Sequence, residues 1–112
     1  HAPPNAIYTS FPEGTEGIAL RRTMDEVWMP KLKEYKPELI MVSAGFDAHR
    51  EEDQAQLLMV ERDYAFLGRR LASCKSEIPE CRGVVAVLEG GYNTSSLARS
   101  CAAFIHQLAC TD

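Results

Sequence analysis

Histidine is scarce in this sequence, with three in 112 residues, at positions 1, 49 and 106. A site built from several imidazoles is therefore excluded within the chain itself. The four cysteines, at 74, 81, 101 and 110, form no CxxC pair and no zinc-ribbon spacing. Cys74, Cys101 and Cys110 fall on apolar helix faces and read as reduced, buried thiols of a cytoplasmic protein. A Cys74–Cys81 bridge across a loop is the alternative in an oxidising compartment. Positive charge is short too: 12 Lys and Arg against 16 Asp and Glu leave a net charge of −4. No basic stripe offsets phosphate repulsion, which argues against nucleic acid as a partner. No apolar run approaches the roughly 18–20 residues that cross a bilayer, so no membrane span is expected. The opening HAPPNAIYTS lacks the basic and apolar regions of a signal peptide. It also starts with His rather than Met, which leads us to expect a chain trimmed or cut from something longer.

What is there suits a packed domain. Apolar residues make up 46% and charged residues 25%, enough of each to fill and coat a core. We read residues 1–112 as a single partial domain with an irregular stretch over 1–15, where only Ala6–Phe11 could form a short strand. From Gly17 the apolar residues Leu20, Met24, Val27, Trp28, Leu32 and Tyr35 recur at steps of three and four, which predicts a helix over about 17–36. Pro30 inside it predicts a kink near Val27–Met29, and Pro37 ends it. Glu38–Ala44 and Gly83–Leu88 are apolar without alternation, the pattern of parallel strands buried on both faces. Helices are expected over 61–74, with Tyr64, Leu67, Leu71 and Cys74 inward, and over 95–109, with Leu97, Cys101, Phe104, Ile105 and Leu108 inward. Asn93 or Thr94 is placed to cap the last helix. The order helix, strand, helix, strand, helix is that of an α/β protein with a parallel sheet. Two such strands leave unpaired edges, so a homodimer or higher oligomer is expected to cover them.

Ligands in open α/β sheets bind beyond the carboxyl ends of the strands. The first strand delivers Gly45-Phe46-Asp47-Ala48-His49 there, and the second delivers Glu89-Gly90-Gly91-Tyr92-Asn93. The Asp47 carboxylate is suited to ligate a metal, orient a base or simply brace the loop. His49 reads as a surface or supporting group more readily than as a ligand. Gly90 and Gly91 permit close backbone approach and free the Tyr92 ring to swing. A phenol there can donate to an oxygen that gains charge in a transition state. A strand–Gly-Gly–helix junction can also hold an anion on helix N–H groups, though EGGYNTSS fits neither GxGxxG nor GxxxxGK[ST]. The charged run Arg50–Asp53 reads as a solvated loop.

PELIMVSAGFDAHREEDQAQL, followed about forty residues on by GVVAVLEGGYNTSSLARS, resembles the C-terminal part of the histone deacetylase and acetylpolyamine amidohydrolase family, in its bacterial and class II form. The resemblance implies part of an arginase-like three-layer α/β fold with a large parallel sheet. It implies a zinc-dependent hydrolase of acetyl-lysine or acetylpolyamine amides. On the matching positions, Asp47 would be the family's last zinc ligand and Tyr92 the transition-state tyrosine that polarises the acetyl carbonyl. Gly90 and Gly91 would be the substrate-side glycine pair that lets the tyrosine reach the site. His49 matches a motif position that is not a family ligand. The family's other two zinc ligands come from an upstream Asp-x-His segment and its base from a His-His pair, and this chain contains neither. NAIYTSFPEGTEG departs from the family's usual N-x-P-L-P-x-G run, and Asp53-Gln54 stand where Asp-Pro is more common. The expectation is a C-terminal fragment that binds no zinc and is inactive by itself. The alternative is a non-catalytic, self-associating module.

Overall fold

The computed structural model describes residues 4–53 and 56–109. His1, Gln54 and Cys110 lie outside the described residues. The elements are α1 (Gly17–Thr23), a π-helical turn (Met24–Trp28), α2 (Met29–Tyr35), β1 (Ile40–Ala44), α3 (Glu61–Glu77), β2 (Val84–Leu88) and α4 (Thr94–Ala109). Residues 4–15 hold no strand, so Ala6–Phe11 is irregular. The fold is α/β with a parallel β1–β2 pair in the register Ile40↔Val84 to Ala44↔Leu88.

The expected kinked helix over 17–36 is three pieces. Pro30 sits in the first turn of α2, directly after the π turn and within a continuous helical winding. The π turn that precedes it is the wider winding that relieves a clash between the proline ring and the preceding turn. Lys36, left-handed at φ 58, caps α2 just before Pro37. α3 runs one turn past its expected end, to Glu77, and each strand is slightly shorter than its apolar run.

Two apolar clusters sit between the helices and one face of the β pair. Met24, Met29, Ile40, Cys74, Ile78 and Cys81 form the first. Leu20, Phe46, Met59, Tyr64 and Phe104 form the second. Phe46, the residue before Asp47, anchors the tip of β1: its ring lies 4.9 Å from that of Tyr64 and 5.8 Å from that of Phe104. α3 and α4 approach closely because Gly68 faces the Phe104 carbonyl, with no room for a Cβ between them. Ser96 and Ser100, fully buried on the same α4 stripe as Phe104, keep that contact narrow. Ile105, expected inward, is exposed instead.

The strands are not buried on both faces. Ile40, Val42, Ala44 and Val84 pack against the helices, but Met41 is 72% exposed, Val85 48% and Val87 50%, and on the helix side of β2 the residues Ala86 and Leu88 are exposed too. The helices of this chain lie against one side of the pair. The opposite side keeps the apolar sequence of an inner layer, with no layer upon it among the described residues.

Candidate functional site

The loops after β1 and β2 meet at one rim. The Phe46 N–H donates to Gly90 O at 2.8 Å, and the Glu89 N–H donates to Ala44 O at 2.9 Å. These bonds extend the ladder past the strands and set Asp47 beside Gly90. A Cβ on Gly90 would fall 2.9 Å from Asp47 Oδ2, so only glycine lets the carboxylate lie there. Gly91 takes φ +136, a left-handed value, and a Cβ on it would strike Leu97 Cδ1 at 2.8 Å. The two glycines therefore have different tasks: one makes room for Asp47, the other turns the chain into α4. Asp47 and Tyr92 line the same open cleft of about 750 Å³, together with Glu52, Asp53, Asn93, Thr94 and Ser95. Asp47 makes no hydrogen bond among the described residues, and the Tyr92 ring is 79% exposed. Both groups are free to meet something in the cleft.

Below the rim the loop carboxylates are committed, while the Tyr64 and Ser100 hydroxyls are buried without a hydrogen-bond partner among the described residues. The buried Tyr64 phenol is held protonated, its pKa raised by burial and then by the Asp47 charge. In the run Arg50–Asp53, expected to be solvated, Arg50, Glu51 and Asp53 are exposed as expected, but Glu52 is a buried cross-tie. Glu52 is 9% exposed, and its carboxylate accepts the Tyr92 N–H at 3.0 Å and the Asn93 N–H at 2.6 Å. The Asn93 side chain caps α4 by accepting the Ser96 N–H at 3.0 Å, and donates to Glu51 O at 3.2 Å. The anion site suggested by the strand–Gly-Gly–helix junction is thus filled from within.

His49 is not a surface group. It is 1% exposed; its Nδ1 accepts the Glu51 N–H at 3.1 Å, which leaves the Nε2 proton directed at Glu61. The hydrogen bond from His49, aided by the Arg99 charge, holds the Glu61 carboxyl below its ordinary value. Ligand atoms of His49, Glu51 and Glu61 lie within 4.8 Å of one another. Arg99 already bridges this group, to Glu51 at 2.5 Å and to Glu61 at 3.5 Å. The cluster is a clasp that ties the loop after β1 to α3 and α4, with a guanidinium as its cation. His106 is exposed on α4.

Glu52 was invisible in the sequence because its partners lie forty residues away. A signal did exist. The N–H groups at the start of a helix need an acceptor, and a carboxylate in the neighbouring loop is a ready candidate.

A histone deacetylase domain model matches residues 3–108. The chain is 38% identical over 93 residues to histone deacetylase 14, chloroplastic, of Arabidopsis thaliana, covering 82% of this chain and 22% of that protein. It is 40% identical over 80 residues to type-2 histone deacetylase 1 of Dictyostelium discoideum, covering 70% of this chain and 5% of that one. The fold superposes on the crystal structure of an acetylpolyamine aminohydrolase from Burkholderia pseudomallei with a TM-score of 0.79 at 24% identity, over 93% of this chain and 28% of the other. The parallel strands place the chain in the α/β class, and the chain belongs to the histone deacetylase family. It spans between a twentieth and about a fifth of the two relatives just named.

Proposed function

We propose that this chain is the strand-end wall of a zinc-dependent deacetylase site, acting on acetyl-lysine or acetylpolyamine amides, and that it has no activity alone. The single observation that supports this reading is the shared cleft of Asp47 and Tyr92. Asp47 would be one metal ligand, its carboxylate uncommitted and held forward by Gly90. Tyr92 would donate from its phenol to the amide oxygen as that oxygen gains charge. Gly90 and Gly91 would let substrate and backbone approach closely.

The residues present do not fit catalytic zinc by themselves. Such a site takes three protein ligands and an open position. Among the described residues, no trio of ligating groups includes Asp47, and the one trio there is carries its own guanidinium. Glu52, another carboxylate of the cleft, is spent on two backbone N–H groups. Elemental analysis of the purified chain, paired with acetate release from an acetyl-lysine peptide, tests the proposal. We expect neither zinc nor acetate. Stoichiometric zinc together with turnover would overturn it.

A second reading rests on the bare sheet face. Met41, Val85 and Val87 form an apolar surface flanked by two unpaired strand edges, and a second copy of the chain would cover it. In that case the chain is a self-associating module with a binding role. Light scattering separates the two readings: a mass of two or more chains, reduced to one by Val85→Lys, supports self-association, and a monomer at high concentration rejects it. Cys74, Cys81 and Cys101 are free thiols, which supports a reducing compartment, and we propose the cytoplasm.

A further inference from the structure

Two amides stand just ahead of α4, those of Tyr92 and Asn93, and both point at one carboxylate. Glu52 takes the Tyr92 N–H on both of its oxygens at 3.0 Å and the Asn93 N–H on Oε2 at 2.6 Å. It does so while more than nine-tenths buried. A buried carboxylate is costly unless its oxygens are satisfied, and here the partners are the two amides that follow the left-handed Gly91. These amides also belong to a helix N-terminus, where the backbone favours negative charge. The carboxylate therefore holds the residue carrying the phenol by its backbone, while the ring is left exposed in the cleft.

We propose that Glu52 is a positioning residue for Tyr92: its carboxylate is a built-in anion that fills the amide cradle ahead of α4 and fixes the direction in which the phenol leaves the loop. The assignment rests on the reading of Tyr92 as the group that meets substrate. The clamp itself is a matter of geometry within this chain. It follows that the tyrosine loop is shaped by a side chain from the loop that also carries Asp47. It also follows that emptying the cradle creates a site for a small external carboxylate.

The test uses the full chain, labelled for amide NMR, as wild type, Glu52→Ala and Glu52→Gln, with sodium formate as the probe. In Glu52→Ala we expect the Tyr92 and Asn93 amide protons to move upfield and to exchange about tenfold to a hundredfold faster, the range for losing a charge-assisted bond. Core amides such as that of Val42 should stay put. Adding formate should restore the two shifts in Glu52→Ala and leave wild type unchanged, since its cradle is full. Glu52→Gln, which keeps one acceptor oxygen, should give intermediate exchange and no response to formate. Unchanged Tyr92 and Asn93 amides in Glu52→Ala would overturn the proposal, as would formate failing to restore them. If Glu52→Ala does not fold, Glu52→Gln decides: wild-type exchange at both amides would reject the clamp. These readouts do not depend on turnover, so an inert or active chain in the acetate assay bears on the proposed function and leaves this result standing.

Discussion

The two faces of the β1–β2 pair are both largely apolar but differ in surroundings, a difference carried by β1, since β2 is exposed on both faces beyond Val84. Ile40, Val42 and Ala44 are packed among helices, while Met41, Val85 and Val87 meet solvent. Hydrophobic burial is roughly proportional to the area removed from water, so residues of like character contribute very differently on the two sides. One face holds the chain together. The other contributes little to this chain's stability and marks where another layer belongs.

The sharpest way to break that comparison is a matched pair of truncations. Phe46→Ala removes a ring that is 2% exposed and seated between Tyr64 and Phe104, and should cost about 3–5 kcal/mol in urea unfolding. Val87→Ala on the bare face should cost less than about 0.5 kcal/mol. A cost above about 1 kcal/mol for Val87→Ala in the monomeric chain would mean that the bare face is covered after all.

A smaller effect tests the polar seams beneath the packed face. Asp63 is 1% exposed, accepts the Val60 N–H at 2.9 Å to close the start of α3, and pairs with Arg21 at 3.1 Å. Gly17 leaves the room in which this carboxylate sits. Asp63→Ala removes a cap and half of a partly buried ion pair, and should cost about 2–3 kcal/mol by thermal or chemical unfolding. A loss within about 0.5 kcal/mol would show that α1 and α3 are held by apolar contacts alone.

The smallest effect concerns the outer end of α3. Hydrogen bonding from Ser73 and Lys33, with the Arg70 charge nearby, holds the Glu77 carboxyl down to about 2. Its folded value lies below its unfolded one. The stability it contributes is therefore present in full above the usual carboxylate range and is lost as the pH falls towards about 2. Because the group is partly solvated, that contribution is at most about 1 kcal/mol. Glu77→Gln should lower Tm slightly at neutral pH, and the gap to wild type should close between pH 4.5 and about 2. A gap that persists below that window would trace the effect to packing.

The parts legible in the sequence were those carried by near neighbours. The steps of three and four through Tyr64, Leu67, Leu71 and Cys74 placed α3, and those through Leu97, Cys101, Phe104 and Leu108 placed α4. Asn93 was a visible cap. The pairing of Asp47 with Tyr92 at one rim followed from two apolar runs ending in motif residues. Pro30 marked a fault in the first helix, but whether it would be taken up as a bend or as a π turn depends on what Met24 and Met29 pack against, since both are buried. Within the charged run after Asp47, Glu52 was misjudged for a related reason. Glu52 looks like a solvated residue until the approach to α4 brings the Tyr92 and Asn93 amides to it, whereas Glu51 stays exposed while pairing with Arg99. His49 read as either a surface or a supporting group, and its burial against Glu61 leaves the second of these.

The sequence by itself determined the local elements, the ends at which the β1 and β2 loops deliver chemistry, and the family, because these depend on periodicity, turn residues and short motifs. Only the tertiary structure decided which acidic side chains stay free and which are consumed. Asp47 is left uncommitted, while Glu52, Glu61 and Asp63 are taken up by amides, an imidazole and guanidinium groups. The physical reason is that a carboxylate's role is set by the donors within about 3 Å of it, and here those donors come from segments far away along the chain.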